Sequence, residues 1–154
     1  MIRRMNHVGL SVTDLDRSVE FYRRCFDMEL VAQRIFEGTQ YEDILSLKGA
    51  YGRAALLRAA TFQLELFEFW RPAPAPADPH RPVCDRGITH ICIEVTDIDS
   101  EYQRLRDAGV SFHCAPVDFD GLAKATYGRD VDGNVFELLE ITDHEKSTEG
   151  GSGT

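Results

Sequence analysis

The stretch HVGLSVTDLD, residues 7–16, recurs as HICIEVTDID, residues 90–99. Both copies start on histidine, and one offset of 83 positions relates His7 to His90 and Asp16 to Asp99. Histidine, valine, threonine and both aspartates stand at matching places in the two copies. The repeat predicts that the chain consists of two similar halves, each of which begins with a histidine.

The first copy changes its hydrophobic period after residue 12. Apolar and polar residues alternate over residues 7–12, which is typical of a half-buried strand. Thr13 and Asp14 then offer cap oxygens, and apolar residues follow at helical spacing. These helical positions are Leu15, Val19, Tyr22 and Phe26. The first half therefore opens with a strand followed by a helix, and FQLELFEFW (62–70) is its clearest later strand.

The second copy repeats this order. Ile91, Ile93 and Val95 alternate with polar or small residues, and a predicted helix follows that ends at Gly109. VFELLEI (135–141) closes the half as a strand and matches LELFEF (64–69), because both carry two glutamates three positions apart. Each half thus predicts a strand, a helix and further strands.

Composition shifts divide the chain into four predicted segments. The proline- and alanine-rich stretch that follows the first half predicts an extended linker. The last residues are polar and glycine-rich, which is typical of a disordered tail. The predicted boundaries are 5–70 for the first module, 71–86 for the linker, 87–142 for the second module and 143–154 for the tail.

Bulk properties narrow the class of protein. A net charge of −9 argues against a nucleic-acid partner, which needs a basic patch. Neither a long apolar run nor a signal peptide is evident, so no membrane association is expected. The four cysteines form no Cys-x-x-Cys pair, which fits reduced thiols in a cytoplasmic protein.

Strand alternation selects a candidate metal site. Leu64 and Leu66 face one way, so Glu65 faces the other way, and the same holds for Glu137 between Phe136 and Leu138. If the apolar faces pack on the helices, two imidazoles and two carboxylates share the opposite face. One Zn²⁺, Ni²⁺, Co²⁺, Mn²⁺ or Fe²⁺ ion suits such a donor set. The four predicted ligands are His7, Glu65, His90 and Glu137.

Four segments carry a resemblance to a known family: NHVGLSVTDLDRSVEFY, LELFEF, GITHICIEVTDID and YGRDVDGNVFELLEI. Together they resemble the vicinal oxygen chelate superfamily, which includes glyoxalase I, extradiol dioxygenases and bleomycin-resistance proteins. The resemblance implies an α+β fold in which two βαβββ modules form a curved mixed sheet with a metal cleft. It implies metal ligands on the first and last strands of each module, which are the same four residues.

The resemblance also implies a chemistry. A divalent ion could accept vicinal oxygens of a small substrate and stabilise a developing enolate, while Glu65 or Glu137 moves the proton. This predicts an isomerase or lyase of glyoxalase type. An extradiol-type dioxygenase with Fe²⁺ on His7, His90 and Glu137 is the alternative, and a non-catalytic drug-binding protein is a third possibility.

Other residues are candidates for the substrate pocket. Tyr127 and Arg129 share one face of a predicted strand, and Gln63 and Phe67 share the parity of Glu65. The longer connection of the first half is a candidate cover for the cleft. The modules are expected to pair within one chain or across a homodimer, and the sequence does not choose between the two.

Overall fold

The first half of the chain, Met1–Ala77, forms one structural unit, and the described residues from Asp78 onward form another. The computed structural model describes residues 1–60 and 62–143. The elements of the first unit are β1 (Val8–Ser11), α1 (Leu15–Phe26), β2 (Glu29–Glu37), α2 (Thr39–Leu45), β3 (Tyr51–Ala59) and β4 (Phe62–Arg71).

The second unit repeats the strand–helix–strands order with an additional short strand. Its elements are β5 (Ile91–Glu94), α3 (Ile98–Asp107), β6 (Ser111–Phe112), β7 (Val117–Phe119), β8 (Ala123–Arg129) and β9 (Val135–Ile141). The predicted strand 135–141 coincides with β9, and Gly109 has a φ of 88° just after α3. A glycine in this left-handed conformation commonly ends a helix.

Each unit builds its own mixed sheet with one parallel pair at its first strand. The order is β1-β4-β3-β2 in the first unit and β5-β9-β8-β6 in the second, where β7 also pairs with β8. β1 runs parallel to β4 and places Gly9 beside Glu65, and β5 runs parallel to β9 and places Cys92 beside Glu137. The predicted α+β class with two βαβββ modules is confirmed.

The helix-facing sides of the sheets form the cores. Leu15 of α1 is fully buried with Leu64 and Leu66 of β4, and Phe136 and Leu138 are buried in the same way on β9. The intervening glutamates are half-buried, as the alternation predicted. Because successive side chains point to opposite faces of a strand, the buried leucines direct Glu65 and Glu137 away from the helices.

The second glutamate of each repeated strand anchors the helix of its own unit. Glu68 Oε2 accepts a hydrogen bond from the Leu15 N–H at 2.8 Å. Glu140 accepts from the N–H groups of Asp97 and Ile98 at 2.9 and 3.3 Å. Helices begin with N–H groups that have no partner within the helix, and a negative charge there is favourable. The two carboxylates therefore fix each helix to the last strand of its unit.

A basic residue supports each anchor from the neighbouring strand. Arg53 lies opposite Glu68 in the β3–β4 register and binds both Glu68 and Asp16 at 2.8 Å. Lys124 lies opposite Glu140 in the β8–β9 register and binds Asp99 at 2.8 Å. Asp16 and Asp99 are equivalent positions of the repeat, so the arrangement is duplicated.

One element of the first unit is not predicted by the sequence pattern. The connection of the first half contains α2, a seven-residue helix with no buried residue and no side-chain hydrogen bond at its N-cap, Gly38. A helix without these features leaves little signal in hydrophobic periodicity. The predicted tail and His144 lie outside the described residues, except for Asp143 at the start of that tail. No helix in the described part of the chain has the length and apolarity needed to cross a membrane.

Candidate metal centre

The first half-site joins the start of β1 to the middle of β4. His7 precedes β1, and its Nε2 lies 3.3 Å from Glu65 Oε2. The Glu65 side chain is 12% exposed, whereas that of His7 is 42% exposed. The parallel pairing of β1 with β4 brings the two residues together, because Glu65 stands beside Gly9, two positions after the histidine. The structure thus unites the first two predicted ligands.

The second half-site has the same construction. His90 precedes β5, and its Nε2 lies 3.1 Å from Glu137 Oε2. Both side chains are mostly shielded, at 26% and 17% exposed. Glu137 stands beside Cys92 in the β5–β9 register, just as Glu65 stands beside Gly9. The structure thus also unites the other two predicted ligands.

Each imidazole is oriented by the residue before it. His7 Nδ1 donates to Asn6 Oδ1 at 2.9 Å, and a hydrogen bond of 2.9 Å joins His90 Nδ1 to Thr89 Oγ1. Metal-ligating histidines usually bond through their second ring nitrogen to such a partner, which fixes the ring. In both half-sites Nε2 is consequently the nitrogen that faces the carboxylate.

The spacing of these atoms suits two ligands of one metal ion. A histidine nitrogen and a carboxylate oxygen at 2.0–2.2 Å from one ion, at tetrahedral or octahedral angles, lie about 2.8–3.5 Å apart. The two observed separations of 3.3 and 3.1 Å fall in that interval. Within each unit, the described residues contain no group of three or more potential ligands. Each unit therefore offers two donors.

An arginine on β2 contacts the first half-site and was not predicted from the sequence. Arg34 Nη2 donates to Glu65 Oε1 at 2.5 Å, so the two carboxylate oxygens have different partners. Burial lowers the pKa of Arg34, but hydrogen bonds to Glu65 and Tyr41 outweigh this effect and raise the pKa above its ordinary value. The guanidinium is therefore a permanent charge beside Glu65.

The second half-site has a thiol and a phenol instead. Tyr127 pairs with Glu137 across β8 and β9, and its ring centroid lies 4.8 Å from that of His90. Burial, with a further contribution from Glu137, raises the pKa of the Cys92 thiol to about 12. Burial and the charge of Glu137 also raise the pKa of Tyr127. Both groups are protonated at neutral pH and surround Glu137 without adding charge.

The other predicted pocket residues have different surroundings. The Arg129 guanidinium donates to two backbone carbonyls, of Gly133 at 2.8 Å and Arg81 at 3.0 Å, and so links a turn to the segment before β5. Phe67 packs with Phe69 against buried Phe36. Gln63 is half-buried opposite Arg58. Their role toward a substrate stays a prediction.

His113 adds a second imidazole near Tyr127. Its ring centroid lies 6.1 Å from that of Tyr127. Burial, and secondarily the charge of Arg129, lowers the pKa of His113. The imidazole is therefore neutral at pH 7 and adds no charge to the surroundings of His90.

Curated relatives of the chain include a lactoylglutathione lyase from Pseudomonas aeruginosa. The two sequences are 28% identical in an alignment 153 residues long, which covers 89% of this chain and 82% of the relative. Yeast relatives are longer, since the chain spans 38% of a lactoylglutathione lyase from Schizosaccharomyces pombe and 36% of glyoxalase I from Saccharomyces cerevisiae.

Solved structures share the fold at low sequence identity. A glyoxalase family protein from Bacillus cereus superposes with a TM-score of 0.85 at 23% identity, over 93% of this chain and 97% of that one. The fosfomycin resistance protein FosX from Listeria monocytogenes, in complex with Mn(II) and sulfate, superposes with a TM-score of 0.65 at 19% identity, over 96% and 99%.

The sequence model of one superfamily matches residues 4–138, which include all four predicted ligands and both repeated histidine segments. This match covers most of the chain and agrees with the duplicated strand–helix–strands architecture. The chain belongs to the glyoxalase/bleomycin resistance protein/dioxygenase superfamily.

Proposed function

We propose that the protein is a metal-dependent isomerase or lyase of glyoxalase type. Its substrate would be a small molecule with two neighbouring oxygen atoms. His7, Glu65, His90 and Glu137 would hold one divalent ion, with the second pair supplied by the same chain or by a second copy. The duplicated histidine–glutamate pair, with nitrogen–oxygen separations of 3.3 and 3.1 Å, is the main support for this function.

The donor set supports a divalent first-row metal. Two imidazoles and two carboxylates suit Zn²⁺, Ni²⁺, Co²⁺, Mn²⁺ or Fe²⁺, and the two carboxylate charges balance that of the ion. FosX, which shares the fold, was solved in complex with Mn(II). The name of the Pseudomonas relative supports a lyase, with a glutathione thioester among its reaction partners.

The residues of the chain would have separate roles in proton transfer and in substrate binding. A divalent ion, when bound, supplies Lewis acidity that stabilises negative charge on substrate oxygens. Glu65 or Glu137 would accept a proton from the substrate carbon and return it to the neighbouring carbon, as carboxylates do in general acid–base catalysis. Tyr127, Arg129, Phe67 and Gln63 remain the candidates for contact with the rest of the substrate.

Metal content is the first test. Elemental mass spectrometry of the purified wild type and of Glu65→Gln should give about one equivalent of zinc, nickel, cobalt or manganese in the wild type and less in the variant. The same preparations would be assayed with the hemithioacetal of methylglyoxal and glutathione. A metal-loaded wild type that leaves this substrate unchanged would reject the glutathione reaction while leaving the metal site in place.

A second candidate function has its own supporting observation. Because Arg34 already occupies Glu65, the remaining residues His7, His90 and Glu137 could form a two-histidine, one-carboxylate site for Fe²⁺. Such a site supports ring cleavage of catechols by dioxygen. Iron that is retained in Glu65→Gln would favour this function, and catechols would be the substrates to assay next. A wild type that binds no metal even after reconstitution would favour a non-catalytic binding protein.

A further inference from the structure

The carboxylate of Glu65 is held from two sides. Arg34 binds its Oε1 at 2.5 Å, and His7 Nε2 faces its Oε2 at 3.3 Å. Since Glu65 is 12% exposed, the ion pair with Arg34 is better shielded from water than a pair between two surface residues. Charge-assisted hydrogen bonds between a guanidinium and a carboxylate are stronger than neutral ones and fix the geometry of both partners.

The Arg34 side chain must cross β3 to reach Glu65, and no large side chain stands opposite it on that strand. Arg34 lies on β2, whereas Glu65 lies on β4, and β3 runs between the two strands. The residue opposite Arg34 on β3 is Ala54, whose side chain is a single methyl group. A small residue at this position lets the arginine extend over β3 to reach the carboxylate. Its other partner, Tyr41, lies on α2 and also hydrogen-bonds with the arginine side chain.

We propose that Arg34 is the positioning residue of Glu65. It occupies Oε1 and thereby presents Oε2, next to His7 Nε2, as the oxygen that ligates the metal. This inference rests on the proposed function, because it assigns a role within the same metal site. Removing a residue that hydrogen-bonds to a metal ligand, without contacting the metal itself, commonly weakens metal binding by 10- to 100-fold.

The second half-site serves as the internal contrast. Within the described residues, His90 Nε2 is the nearest basic group to the Glu137 carboxylate, at 3.1 Å, and no arginine or lysine forms an ion pair with it. The Cys92 thiol hydrogen-bonds to Glu137 instead. The positioning by a permanent cation is therefore a property of the first half-site.

A double-mutant cycle tests the assignment. The Co²⁺ dissociation constant would be measured by competition with a chromophoric chelator for the wild type, Arg34→Gln, Glu65→Gln and the double variant. Removing Arg34 should weaken Co²⁺ binding about 10-fold when Glu65 is present and should have no further effect when Glu65 is glutamine. Arg34→Lys, which keeps the charge but loses the planar fork, should recover part of the loss.

Arg58→Gln is the matched control. Arg58 lies on the adjacent strand of the same sheet, is exposed to a similar degree at 48%, and pairs with Glu29 at 2.8 Å. Its removal should leave Co²⁺ affinity unchanged. Urea unfolding of each variant separates a folding defect from a change in the site, and Arg34→Lys keeps the test valid if Arg34→Gln folds poorly.

The outcomes separate this inference from the proposed function. If the wild type binds no Co²⁺, both fail. If the wild type binds Co²⁺ and Arg34→Gln binds as tightly or more tightly, Arg34 does not position the ligand and this inference alone fails. An equal loss from Arg34→Gln in the Glu65→Gln background would also overturn it, because the effect would then not pass through Glu65.

Discussion

The two half-sites contain the same histidine–glutamate pair but differ in what surrounds the carboxylate. Gly9 stands beside Glu65, whereas the equivalent residue beside Glu137 is Cys92. Across the neighbouring strand, Leu56 faces Glu65 and Tyr127 faces Glu137. The two copies thus retain the histidine–glutamate pair, while the environment of each carboxylate is distinct.

The anchors between helix and strand, in contrast, are alike in the two units. In each unit a glutamate three positions after the ligand accepts N–H groups at the start of the helix, and a basic residue opposite it binds an aspartate in the first turn. The scaffold that places the histidine and glutamate is therefore conserved between the copies more closely than the surroundings of the site.

Removing either histidine should cause the greatest loss of metal affinity and tests whether both half-sites bind the same ion. His7→Ala and His90→Ala should each weaken Co²⁺ or Zn²⁺ binding by roughly 100-fold or more, because each removes one of the four proposed ligands. His80→Ala, in an exposed histidine of the segment before β5, is the control and should bind normally. Isothermal titration calorimetry provides the affinities. A loss of metal affinity in only one of the two histidine variants would show that only the unit with that histidine binds the ion.

Removing the charge of each anchoring glutamate should lower the free energy of unfolding, by different amounts in the two units. Glu68 accepts from the Leu15 N–H, Arg53 and the Trp70 indole, whereas Glu140 accepts from two backbone N–H groups. Glu68→Gln should therefore lower the free energy of unfolding by about 2 kcal/mol, and Glu140→Gln by about 1 kcal/mol. Urea unfolding monitored by circular dichroism would measure both. Equal losses would contradict the inference that the extra side-chain partners strengthen the first anchor.

The residues that orient the two imidazoles should contribute unequally to metal affinity, and by less than the histidines themselves. The Asn6 carbonyl oxygen can only accept, so it fixes the proton of His7 on Nδ1, whereas the Thr89 hydroxyl can donate or accept. Asn6→Ala should weaken metal binding by roughly 10-fold, and Thr89→Val by less. The same calorimetric titration checks the order. The reverse order would mean that solvent replaces the Asn6 contact.

The pH dependence of the first anchor gives the smallest expected effect. Although burial raises the pKa of Glu68, hydrogen bonds from Leu15, Trp70 and Arg53 lower it below its ordinary value. A carboxylate with a lowered pKa stabilises the fold at neutral pH, and this contribution disappears as the pH falls through the folded-state pKa. Between pH 7 and pH 3, the wild type should lose more unfolding free energy than Glu68→Gln. Parallel loss in both proteins would remove Glu68 as the source.

The repeated sequence predicted the elements that carry the four candidate ligands. Alternation around Glu65 and Glu137 was clear because their neighbours Leu64, Leu66, Phe136 and Leu138 are all fully or almost fully buried. The same alternation could place each histidine and glutamate on one face, but it could not give the register of β1 against β4. The separation of 3.3 Å between His7 and Glu65 follows from that register.

Arg34 could not be found from the sequence for a related reason. β2 is an edge strand with little alternation in burial, and its pairing with β3 shifts between Leu30 and Ala32. Without a clear apolar face, the sequence does not show which residues of β2 point toward the site. The helix-anchoring role of Glu68 was equally hidden, because its partner Leu15 lies 53 positions earlier in the chain.

The anchor formed by Glu68 also has a consequence for amide hydrogen exchange. N–H groups in the first turn of a helix have no partner within the helix and usually exchange freely with water. The Leu15 N–H is bound instead by a carboxylate 53 residues away, so its protection requires that α1 and β4 have already met. Exchange at Leu15, and at Ile98 in the second unit, therefore reports the docking of each helix on its sheet separately from helix formation.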